Sequence, residues 1–106
     1  MLKAFAQENN VGPKFTFLTN HALVLIVLSK NNTMRMREIA DEIGITERAV
    51  KRIVDELVIT GYVKVVKSGR RNVYTLNTVQ SLRHPIVKDL CVDELLKLGA
   101  PREHLC

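Results

Sequence analysis

The stretch Arg37-Glu38-Ile39-Ala40-Asp41-Glu42-Ile43-Gly44-Ile45-Thr46-Glu47-Arg48-Ala49-Val50 reads as one short helix, a stop and the start of a second helix. Ile39, Ala40 and Ile43 share an apolar face, whereas Arg37, Glu38, Asp41 and Glu42 face water. Gly44 halts the helix because it can take positive φ without a Cβ clash, and Ile45 drops back toward the core. Thr46 suits the N-cap of the next helix, and Glu47 sits where the helix dipole favours a negative charge. Val50, Ile53, Val54, Leu57 and Val58 continue at the i, i+3, i+4, i+7, i+8 spacing of a buried stripe. The opposite face carries Glu47, Arg48, Lys51, Arg52 and Asp55. Ala40 has to be small where the second helix crosses the first, and the locked pair leaves the N-terminal end of the second helix projecting.

Downstream, Gly61 ends the second helix, and Tyr62 to Lys67 and Val73 to Leu76 are rich in β-formers. Ser68-Gly69-Arg70-Arg71-Asn72 between them supplies turn residues, which predicts a hairpin with a basic tip. Upstream, Thr19 to Ser29 has an N-cap in Thr19 or Asn20 followed by apolar residues on every side, although Leu23 to Leu28 alone also fits a strand. A helix apolar all round has to be buried all round. One small domain struggles to cover both faces, which points to a contact with another subunit. Lys30 to Thr33 is a loop, and Met34-Arg35-Met36 alternates as a very short strand would.

At the ends, residues 1–14 form an arm containing the Gly12-Pro13 turn signal. Asn77 to Pro85 is a connection in which Pro85 pushes His84 toward an extended conformation. Ile86 to Leu98 fits a final helix or two short ones. The expected organisation is an arm (1–14), a winged helix-turn-helix domain (15–77) and a C-terminal helical extension (78–106) that serves dimerisation. The expected fold class is mainly α with a small β-hairpin wing, a three-helix core plus a C-terminal helix.

A chain of 106 residues supports one domain, and 46% hydrophobic with 25% charged residues is an ordinary globular balance, so disorder is excluded. The longest apolar run, Ala22 to Leu28, is far shorter than the roughly 20 residues that span a bilayer. No secretory signal is visible at the N-terminus, so the expected location is the cytoplasm. The charge is uneven. Seven basic and three acidic residues between Thr46 and Leu76 give net +4, whereas the flanking segments carry +1 and zero of the total of +5. A local excess of that kind attracts a polyanion.

On Arg37 to Val50 and on Gly69 to Asn72 with Val73 to Leu76 after it, the segment Leu18 to Asn77 resembles the winged helix-turn-helix transcriptional regulators of the MarR and ArsR type. The resemblance implies a homodimer that reads palindromic double-stranded DNA, with recognition helices in adjacent major grooves and wing arginines at the minor groove or the backbone. It implies DNA-contacting roles for Thr46, Arg48, Lys51 and Arg52 on the recognition helix and for Arg70 and Arg71 on the wing. Arg48, one turn into the helix, is placed to make a bidentate contact with guanine O6 and N7. Lys64 and Lys67 flank the wing and suit backbone anchoring rather than base reading. The region after Asn77 departs from the long dimerising helices of MarR proteins.

Other chemistry has little to stand on. His21, His84, His104, Cys91 and Cys106 contain no Cys-x-x-Cys or His-x-x-x-His pair, so no metal or other cofactor is expected. Cys91 reads as a small buried hydrophobe, Cys106 as a free terminal thiol, and Tyr62 and Tyr74 as core or cross-strand residues rather than base-stacking ones. No phosphate loop, catalytic triad or carboxylate pair supports an enzyme, and no drug-sized pocket or effector is evident. The alternative reading is a winged-helix module that binds protein and has only weak, non-specific contact with nucleic acid.

Overall fold

The computed structural model describes residues 16–100; the N-terminal arm, His104 and Cys106 lie outside them. The first helix, α1 (Asn20–Lys30), starts where the Thr19 hydroxyl accepts from Ala22 N at 3.1 Å, which settles both the N-cap and the choice of helix over strand. α2 (Met36–Ile43) ends at Gly44, whose φ of 87° is the left-handed conformation expected of a glycine stop. Gly44 N and Ile45 N both donate to the Ala40 carbonyl, closing the turn tightly before α3 (Glu47–Ile59). Ala40 itself is buried.

The hairpin consists of β1 (Val63–Ser68) and β2 (Arg71–Leu76), antiparallel from Val63 opposite Leu76 to Ser68 opposite Arg71. The turn is therefore Gly69-Arg70 alone, shorter than the sequence reading suggested. Gly69 takes φ 64° at the first central position of this two-residue loop, where such a conformation favours glycine. Arg71 and Asn72, expected in the turn, are strand residues.

Met34-Arg35-Met36 is not a strand. Tyr74 N bonds instead to the Asn32 carbonyl, so it is Asn32 that lies beside β2, and Met36 already opens α2. Arg35 N donates to Glu38 Oε1 at 2.9 Å, an interaction that belongs to a helix start.

The C-terminal segment answers how an all-apolar α1 is covered. Pro85–Val87 forms a 3-10 turn after the extended His84, then come α4 (Val92–Leu96) and a second 3-10 turn, Lys97–Gly99. α1 packs against α2, α3, β2, α4 and this last turn within one chain. Val24, Leu28, Ile39, Val50, Ile53 and Val92 are fully buried, which stabilises the fold by ~1.5 to 3 kcal/mol for each of the larger side chains. Val92 comes from α4, so the extension is part of the core. These contacts bury Val24, Leu25, Ile26 and Leu28 of α1, whereas Ala22, Leu23 and Val27 stay half-buried.

Two single residues complete the picture. Cys91 is the N-cap of α4, half-buried, with its N and its thiol both donating to Glu94 Oε1. Those two bonds, the backbone one first, hold the Glu94 carboxyl below its ordinary range. Cys91 is thus a capping residue rather than a core hydrophobe.

Candidate nucleic-acid interface

The stripe of Val50, Ile53, Val54 and Leu57 is buried, which turns Arg48, Lys51, Arg52 and Asp55 outward together at i, i+3, i+4 and i+7. Thr46 caps the helix, its hydroxyl accepting from Ala49 N at 3.1 Å, and so anchors the projecting end. Glu47 stands in the first turn.

The cations of this face are not equivalent. Lys51 Nζ lies 2.9 Å from Asp55 Oδ2, and Arg52 Nη1 lies 3.7 Å from Glu56 Oε2, both one turn along the helix. Exposed pairs of this kind contribute about 0.3 to 0.5 kcal/mol and exchange readily for a phosphate. Arg48 has no ion pair among the described residues and is exposed. Glu56 has a further partner. Its Oε1 lies 2.6 Å from Nε2 of His21 on α1, and this hydrogen bond is the main cause holding its carboxyl below the ordinary range, with Arg52 a smaller contributor. No local pattern marks that pair, whose members stand 35 positions apart.

On the wing, Arg70 occupies the turn, exposed to solvent. Arg71 Nη1 donates to the Thr33 carbonyl at 3.0 Å, tying the wing to the loop that precedes α2. The register puts Lys67 on the same face as Asn72, Val65 and Tyr74, whereas Lys64 pairs with Thr75 on the other face. Lys64 and Lys67 thus start from opposite faces of the hairpin, and Arg71, opposite Ser68, shares the register face of Lys64. Tyr62 and Tyr74 are buried, and Tyr62 Oη donates to the Ser81 carbonyl at 2.6 Å, so neither offers a ring to a base. Arg35, at the start of α2, lines the same cleft as Lys67, Arg70 and Arg71. Sequence reasoning passed over it because the segment read as a strand.

Away from this face, a cavity of about 440 Å³ opens between α1, α3 and the C-terminal segment. Ala22, Leu25, Leu57, Tyr62, Leu82 and Leu95 form its apolar walls, and the His21–Glu56 pair and Arg83 also line it. That volume lies in the range of small-molecule pockets, contrary to the sequence expectation that none was evident. Among the described residues no three His, Cys, Asp or Glu side chains are gathered as metal ligands, and no helix is long and apolar enough to cross a membrane.

Two helices joined at Gly44, the second projecting beside a two-stranded wing, define a winged helix-turn-helix protein. The model of the MarR family matches residues 15–71, more than half of the chain, and the protein belongs to that family of winged-helix transcriptional regulators. The match takes in all three core helices, β1 and the start of β2. A comparison with curated proteins gives no match.

Proposed function

We propose that the chain is a sequence-specific double-stranded DNA-binding regulator that acts as a homodimer in the cytoplasm and has no enzymatic activity. In this reading α3 enters the major groove, Arg48 reads a guanine, and Thr46, Lys51 and Arg52 contact nearby backbone or base edges. Lys64, Lys67, Arg70 and Arg71 engage the backbone or the minor groove from the wing.

The observation that carries it is Arg48: exposed, without an ion pair among the described residues, and in the first turn of a helix whose start is fixed by the Thr46 cap. A guanidinium so placed has the fork geometry for guanine O6 and N7. Titration of a labelled random duplex at two salt concentrations tests the electrostatic part, since each neutralised phosphate adds about −0.9 to the slope of log K against log salt. Selection of bound duplexes from a random pool tests the rest, and a palindrome would report both symmetry and half-site spacing. No duplex binding at low salt would leave the protein-binding alternative.

A further inference from the structure

We infer that the apolar cavity between α1, α3 and the C-terminal segment is the seat of the chain's own N-terminal segment, with Phe15 as the side chain that enters it. The inference does not depend on the duplex-binding reading.

The cavity, about 440 Å³, has a floor of buried Leu25, Leu57 and Tyr62 and half-buried walls of Ala22, Leu82 and Leu95. The charged groups that line it are mixed in sign: the Glu56 carboxylate, bonded to His21, and the Arg83 guanidinium. A charged occupant is attracted by one and repelled by the other. An uncharged apolar side chain gains from the walls alone.

The supply of aromatic side chains says which one. The sequence has three phenylalanines, Phe5, Phe15 and Phe17, all within its first seventeen positions, and the core among the described residues contains none. An aromatic side chain buries on the order of 150 to 250 Å², and it is a large apolar area to leave in water. Phe17 is 95% exposed, which excludes it as the occupant. Phe15 immediately precedes the described residues and stands four positions before Thr19, which itself lines the cavity. Four residues span at most about 14 Å. The chain also bends at Phe17 and Leu18, where Thr16 Oγ1 donates to the Leu18 carbonyl at 2.6 Å. Phe15 is thus tethered beside the opening, whereas Phe5 needs a longer loop at a larger closure cost. A short tether gives an effective concentration in the millimolar range, which favours the chain's own segment over that of a second copy. Pro13, with its fixed φ, lowers the entropy lost on docking. A phenyl ring seated there pins the start of α1 to the C-terminal half of α3.

The test is a double-mutant cycle on the full chain, read by urea denaturation. Phe15→Ala is expected to lower the midpoint with an unchanged slope. Ala22→Phe fills the cavity from α1, and in that background Phe15→Ala is expected to lower the midpoint no further. An equal loss in both backgrounds would place Phe15 elsewhere, and no loss in the wild-type background would show that it does not dock; either result overturns the inference. The chain has no Trp, so Phe15→Trp supplies a single reporter. Its emission is expected to be blue-shifted, shielded from acrylamide and independent of protein concentration, and to turn solvent-like in Ala22→Phe. Shielding lost on dilution would assign the seat to the arm of a second copy, and solvent-like emission at every concentration would leave it without Phe15. The dye ANS is expected to bind Phe15→Ala more tightly than wild type; equal binding would make the cavity an open small-molecule site instead.

Discussion

Glu56 bridges two parts of the molecule, with Oε1 2.6 Å from Nε2 of His21 on α1 and Oε2 3.7 Å from Nη1 of Arg52 on the outward face of α3. The same carboxylate therefore touches the wall of the apolar cavity and the base of the proposed DNA surface. α3 is held not only by its buried stripe but also by this hydrogen bond on its flank.

That contact makes stability depend on pH in a defined direction. The Glu56 carboxyl is held below its ordinary value, chiefly by the hydrogen bond from His21. A carboxyl with a depressed folded pKa binds its proton less readily when folded than when unfolded. Its stabilising contribution is present above the unfolded value of about 4.3 and is lost as pH falls through the folded one. Melting curves of wild type and Glu56→Gln across the acid range check this. The gap between them is expected to be widest above the ordinary carboxylate range and to close below it. A gap independent of pH would show that the pair does not titrate with folding.

The unequal pairing of the helix cations predicts unequal roles. Arg48→Ala is expected to lower discrimination at one base pair of the half-site by about 1 to 3 kcal/mol, roughly 5- to 150-fold, because the bidentate guanine contact goes. Lys67→Ala is expected to weaken all sequences alike. Binding of each variant to a selected duplex and to single-base variants of it separates the two. Equal changes in specificity would mean that the outward face of α3 has been assigned wrongly.

What the sequence made legible was local. Gly44, Thr46 and the Val50-Ile53-Val54-Leu57 stripe each act within one or two turns, so the two helices and their turn could be placed, although α2 begins at Met36 rather than Arg37 and Val58, read into the stripe, is exposed. The apolar α1 was legible as a helix needing burial on all sides, but not what buries it, because Val92, Leu95 and Gly99 arrive some seventy positions later. The same distance effect hid the His21–Glu56 pair and the bond from Arg71 to Thr33. The strand misreading of Met34 to Met36 has a related cause: alternation over three residues carries no information about whether Asn32 or Met34 is the one that reaches β2. For the candidate site, residue types and faces could be read, but which cations already have partners could not.

The contact between Gly99 and α1 predicts a steric penalty. A Cβ on Gly99 would fall 2.3 Å from Ile26 Cγ2, inside any real contact distance, and Ile26 is itself buried. Gly99→Ala is expected to destabilise the fold by about 1 to 3 kcal/mol, the range of overpacked cores. Urea denaturation should show a lower midpoint with an unchanged slope. The paired change of Ile26→Ala with Gly99→Ala is expected to recover part of the loss at this contact, since it removes the clashing methyl groups. No shift in Gly99→Ala would mean that the last 3-10 turn does not rest on α1 in solution.

The assembly is tested separately from the fold. The proposed homodimer predicts that the full chain sediments at twice its mass, and a monomer at every concentration would refute it. Truncation after Asn77 asks what the extension does. It removes Val92, which is fully buried, and with it the half-buried Leu95 and Leu96 that pack on the core. The all-apolar α1 then loses cover that its own chain provides. The truncated protein is accordingly expected to aggregate or unfold rather than to give a clean monomer. A stable, monodisperse monomer would show that the extension serves only assembly, and that the packing of α4 on α1 contributes little to holding the domain together.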